Sequence, residues 1–194
     1  KEFLPKLSGG AAAMDEKTQR LTSQMHKAIA IIQFKLESQL FKKHPEWKMK
    51  DRCLFDHIDY RKGKVEIDGK EYDMTSCHFP TINPDNPDKL SEEEEILIQK
   101  LHHSFMVCEK LHKHINVMLQ HGCMYAIFNN NLLFHASCPL NEDGSLKEVE
   151  IYPGKKFSGR ALMHHTGMQI RTAFQSDSDP NEKEYAIDYF IYLW

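Results

Sequence analysis

Apolar residues recur at spacings of three and four through residues 14–43. Leu21, Met25, Ala28, Ile29, Ile32, Leu36 and Leu40 fall on one stripe, which predicts a long amphipathic helix from Met14. Pro45 disfavours helix at the residue before it, so this helix should stop near Lys43. A second helical pattern starts at Ser91, where Ser91 to Glu94 reads as a capping box. Glu92 to Glu95 are well placed against the helix dipole. Leu97, Leu101, Phe105, Cys108, Leu111, Ile115 and Leu119 then point one way, predicting a single helix over 91–121 that ends at Gly122.

Between these helices the period changes to two. In KVEIDGKEYDM, Val65 and Ile67 alternate with charges, Asp68-Gly69 supplies a two-residue turn, and Tyr72 and Met74 resume the alternation. Such a turn pairs Val65 with Tyr72. MKDRCLFDHIDY reads equally as a short helix or as a turn into a strand, and FPTINPDNPDKL as a proline-rich loop. A second hairpin is predicted over CMYAIF and NLLFH, turning at Asn129-Asn130, since asparagine tolerates the left-handed backbone. NEDGSLKEVEI offers a turn and a short strand. Helices should follow from about Ser158 to Phe174 and from about Glu182 onward, with the acidic loop SDSDPNE between them.

These elements give an α+β class, long helices with antiparallel hairpins. The expected organisation is a connector over 1–13, a helical region with an inserted hairpin over 14–122, and a strand-rich segment with closing helices over 123–194. The first residue is Lys1 and the last five are FIYLW, an apolar run costly to expose. The expectation is a piece of a longer chain.

Composition changes this picture little. Hydrophobic residues are 41%, charged residues 27% and the net charge is −3, without the clustered basic face that nucleic acid requires. No stretch has the length of a membrane span, and the first fourteen residues lack the apolar centre of a secretory signal. Five dispersed cysteines with no CxxC suit free thiols in a reducing cytoplasm better than a disulfide framework or a zinc finger.

Twelve histidines are the real excess. His135 ends the run NLLF before a small-residue turn and Pro139. A ligand at a strand end is well held, yet a histidine bonded to a carbonyl satisfies the same pattern, and both readings stand. His102, His103, His112 and His114 lack the spacing to share a helix face, His112 and His114 pointing about 200° apart. Lys110 and Lys113 among them suit a polar face as well as a phosphate. Arg160, His164, His165 and Arg171 could clamp phosphate but are ordinary on a helix. Asp56-His57 are adjacent rather than spaced to leave one strand face with Asp59. No phosphate-cradling glycine loop and no GxSxG turn occurs.

FPTINP, EKLHKHINVML, GCMYAIFNNNLLFHASCPLNEDGS and YAIDYFIYLW, in this order, resemble the middle of the class 3 fructose-1,6-bisphosphatases, bacterial calcineurin-like metallophosphoesterases. The resemblance covers about Lys27 to Trp194. It implies part of a sheet sandwich in a manganese-dependent phosphatase that removes the 1-phosphate of fructose 1,6-bisphosphate in gluconeogenesis. It implies a sugar bisphosphate substrate and a dinuclear metal site, and LLFHASCP gives His135 a metal-ligand role. The family's DxH, GDxxDR, GNH and GHxP segments are not found in residues 1–194, and Ala136 stands where its pattern has glycine. This piece alone is therefore expected to be inactive and the parent active. Residues 14–120 become decoration on the phosphoesterase core. An alternative is a non-catalytic regulatory or oligomerisation module, the helices 14–43 and 91–121 forming the contact surface of a homo-oligomer.

Overall fold

The computed structural model describes residues 15–135, 137–152 and 154–193; the expected connector over 1–13 lies outside them. Helix α1 (Glu16–Lys43) starts on Asp15, whose carboxylate accepts from the Thr18 amide at 3.1 Å. It ends at His44, before Pro45. Three 3-10 turns over 45–57 lead into strand β1 (Ile58–Asp59). Strands β2 (Lys64–Ile67) and β3 (Lys70–Asp73) then form the expected hairpin, with Val65 opposite Tyr72. Asp68 and Gly69 take φ of 51° and 71°, the left-handed pair that this turn needs. β1 adds antiparallel to β2, completing a three-stranded sheet.

The residues divide into two compact units between Ser104 and Phe105. The core of the first is built on α1, but not on the stripe the spacing predicts. Ile32 and Leu40 are buried as expected; Leu21, Met25, Ile29 and Leu36 are 55%, 62%, 45% and 37% exposed. The buried face instead runs through Ile31, Ile32, Lys35, Ser38, Leu40 and Phe41. The cause is tertiary. The 3-10 turns cover only the C-terminal half of α1, bringing Trp47, Cys53 and Phe55 against it. Phe55 meets Phe34 edge-on at 6.0 Å and Phe79 at 5.9 Å, so the proline-rich loop is part of the core.

Helix α2 (Glu92–Met106) opens with the predicted capping box. The Ser91 hydroxyl accepts from the Glu94 amide at 3.3 Å, and Glu94 Oε2 accepts from the Ser91 amide at 2.8 Å. Ser91→Ala is expected to cost about 1 kcal/mol, seen as faster hydrogen exchange over the first turn of α2.

The single helix expected over 91–121 is corrected to two: α2 ends at Met106, and α3 (Glu109–His121) begins after Val107-Cys108. Cys108 takes an extended ψ of 91°, and neither residue is a strong helix former, so the ladder breaks there. The expected core positions Leu97, Leu101, Phe105 and Cys108 are exposed, Leu97 and Leu101 at 41% and 38% and Phe105 at 62%. Gly122 ends α3 as expected but with an ordinary φ of −77°. What excludes other residues is space, since a Cβ there would overlap the Met118 carbonyl oxygen.

The second unit also holds strands β4 (Tyr125–Phe128), β5 (Asn131–Phe134), β6 (Val149–Tyr152) and β7 (Lys155–Phe157), then helices α4 (Gly159–Phe174) and α5 (Pro180–Leu193). β4 pairs with β5, and β6 with β7, both antiparallel. The class is α+β. The core of this unit lies where α4 crosses α5. Ala186 and Tyr189 are fully buried, and the Tyr189 hydroxyl meets the Thr166 hydroxyl at 3.1 Å. The Tyr185 hydroxyl donates to the buried Ile151 carbonyl at 2.9 Å, tying α5 to β6. Among the described residues no helix is long and apolar enough to cross a membrane. All five cysteines are free thiols.

Candidate functional site

His135 sits directly after β5, so the β4–β5 hairpin positions it. Asn129 and Asn130 both take positive φ, 48° and 59°, giving a two-residue turn that fixes the register Tyr125↔Phe134 and Phe128↔Asn131. Asn130→Val would put a β-branched residue at φ 59°. It should destabilise the hairpin by about 1–2 kcal/mol, read as a loss of exchange protection at the Phe128 and Asn131 amides, the hydrogen-bonded pair that flanks the turn.

The environment differs from the buried strand end suggested by NLLFH. Leu132 and Leu133 are 54% exposed, Phe134 is 41% exposed, and His135 is exposed. One face of the hairpin carries Tyr125, Ile127, Leu132 and Phe134; the other carries Ala126, Phe128 and Leu133. Strands apolar on both faces are the kind found between two covering layers. Neither layer occurs among the described residues.

A metal requires converging donors, and among the described residues no group of three His, Cys, Asp or Glu side chains could hold one. A pair of manganese ions therefore does not fit these residues. His135 offers one imidazole, at most one arm of such a site.

The other candidates separate. His102 and His103 lie exposed on α2, His112 and His114 exposed on α3, with the break at 107–108 between the pairs. Arg171 is structural: it donates to the Gly122 carbonyl at 2.9 Å and to the Gly167 carbonyl at 3.0 Å, tying the end of α3 to α4. His165 lies flat on Phe157 at 4.5 Å and edge-on to Tyr189 at 5.7 Å, and burial lowers its pKa. Arg160 and His164 are exposed on α4. Asp56 pairs with Lys42 at 2.9 Å. Asp59 accepts from the Arg61 and Lys62 amides at 3.0 Å and makes a turn, with no metal geometry.

Sequence reasoning missed the buried pair Lys35–Glu94, 2.8 Å apart. Its one available signal was Lys35 lying at i+3 and i+4 from Ile32 and Ile31.

Comparison with known proteins completes the site's context. The chain is 50% identical over 192 residues to a protein of Parabacteroides distasonis named fructose-1,6-bisphosphatase class 3, covering 99% of this chain and 29% of the relative. Proteins of the same name from Bacteroides fragilis and Clostridium novyi are 47% and 45% identical over 192 residues, with 29% and 28% of their lengths covered. The chain thus spans under a third of the curated relatives it matches. No solved structure matches it. The sequence model of the Firmicute fructose-1,6-bisphosphatases matches residues 1–194 throughout, and the chain belongs to that family.

Proposed function

We propose that this chain is part of a phosphatase that hydrolyses the 1-phosphate of fructose 1,6-bisphosphate in gluconeogenesis. The observation that carries this reading is the match over residues 1–194 to proteins named for that activity. His135 is proposed as one ligand of a manganese site whose other ligands lie beyond these residues. Its support is its place at the end of a register-locked hairpin, which restricts the backbone that would present the ring. The hairpin's two apolar faces support the reading of β4 and β5 as interior strands of a metallophosphoesterase sandwich. Residues 14–122 are then decoration on that core, 123–194 a strand-rich core segment, and the whole protein a cytoplasmic enzyme.

The test is phosphate release. The full-length protein with manganese should release one phosphate from fructose 1,6-bisphosphate and none from fructose 6-phosphate, while residues 1–194 alone should release none. Failure of the full-length protein on the bisphosphate refutes the activity.

A second reading concerns assembly and rests on a separate observation. Leu21, Met25 and Ile29 form an exposed apolar row on α1. We propose that this row is a subunit contact in a homo-oligomer. Met25→Lys should lower the sedimentation coefficient of the full-length protein, and an unchanged value rejects the contact.

A further inference from the structure

In the second unit, helices α3, α4 and α5 leave a groove of about 370 Å³ between them. Ile115 and Met118 come from α3, Ile170 and Phe174 from α4, Phe190 from α5, and Met124 from the link into β4. Phe174 and Phe190 stand edge to face at 6.0 Å and form its aromatic wall. Met118, Phe174 and Phe190 are 71%, 44% and 43% exposed, so the groove is open among the described residues. An apolar concavity left open in this way marks a contact site.

The lining narrows what can fill it. Small-molecule sites set several polar groups among apolar walls to fix the ligand's orientation. Here Arg171 is the one charged side chain on the lining, and its guanidinium is committed to the backbone, donating to the Gly122 and Gly167 carbonyls. An apolar chain segment needs no such groups, because its burial is non-directional. Two sources of a segment remain, a second copy and the protein's own chain. The match covers 29% of the Parabacteroides distasonis relative, so 71% of a chain of that length lies outside it. A tethered segment reaches an effective concentration on the order of millimolar, which a second copy in dilute solution does not.

We propose that this groove is filled by an apolar segment of the parent protein from outside residues 1–194, its uncharged side chains packing against α3, α4 and Phe190. The proposal rests on the chain being part of a longer protein, and it is independent of the phosphatase activity and of His135.

Peroxide oxidation of the full-length protein, read by peptide mass spectrometry, tests whether the groove is filled. Met118 should oxidise at least about tenfold more slowly than in the same chain unfolded in urea, since a covered methionine reacts only when its cover opens. Photo-methionine incorporated in place of methionine then identifies the cover. The cross-link from position 118 should reach a peptide outside residues 1–194, within a species of monomer mass. Oxidation of Met118 at the unfolded rate overturns the proposal. So does a cross-link that joins two copies, which assigns the groove to a subunit contact, or one confined to residues 1–194. Phosphate release is measured separately, so an inactive protein with a protected Met118 leaves the groove assignment standing.

Discussion

Replacing Lys35 by methionine is expected to weaken the α1–α2 contact by about 3–5 kcal/mol, the cost of stranding the partner of a buried ion pair. Lys35 is 0% exposed and Glu94 5%. The ammonium donates to Glu94 Oε2 at 2.8 Å and to the Thr81 carbonyl at 2.7 Å. One side chain thus holds α1, the proline-rich loop and the start of α2 together. Without it, Glu94 keeps only the Ser91 amide on Oε2, while Oε1 has no hydrogen-bond partner even with Lys35 present. Exchange of the Ile31–Ser38 amides should accelerate roughly 10² to 4 × 10³-fold, at tenfold per 1.4 kcal/mol. Glu94→Gln combined with Lys35→Met should recover most of the loss, because the neutral amide still accepts from Ser91 and no unpaired charge remains buried. A double variant no better than the single would show that packing of the lysine stem, rather than charge, sets the cost.

That pair marks the boundary of what the residues alone disclose. Where a feature depends on a few neighbours in sequence, it was legible. Asp68-Gly69 and Asn129-Asn130 set two hairpins and their registers, and Ser91 with Glu94 set the start of α2. The direction a helix faces is a different matter, because it depends on what arrives from elsewhere. Leu21, Met25 and Ile29 satisfy every spacing rule and remain exposed, while Lys35 breaks the apolar pattern and is buried. A lysine reads as solvent-facing unless its carboxylate partner is known, and Glu94 is remote in sequence, already explained as a cap. The break at Val107-Cys108 was masked by heptad-like apolar positions on both sides. Tertiary context overrides propensity in each case. At the candidate site, the hairpin under His135 was legible, while among the described residues no further donors gather with it into a group that could hold a metal.

His135→Ala in the full-length protein is expected to lower phosphate release from fructose 1,6-bisphosphate at least about a hundredfold. Changes to groups that merely support a metal ligand already cost 10–100-fold, and a direct ligand exceeds them. Stability of the metal-free protein should scarcely change, because the turn and pairing of the hairpin do not use the His135 side chain. That combination separates ligand from scaffold. A structural histidine would lose activity and the stability of the metal-free protein together, whereas a ligand loses activity, bound manganese and the stabilisation that manganese adds, at an unchanged unfolding temperature of the metal-free protein. His112→Ala, exposed on α3, serves as the control and should leave activity within about twofold, as surface changes away from a site do. Should His135→Ala keep both its manganese and its rate, His135 is an exposed loop residue, and the metal site is built entirely from other residues.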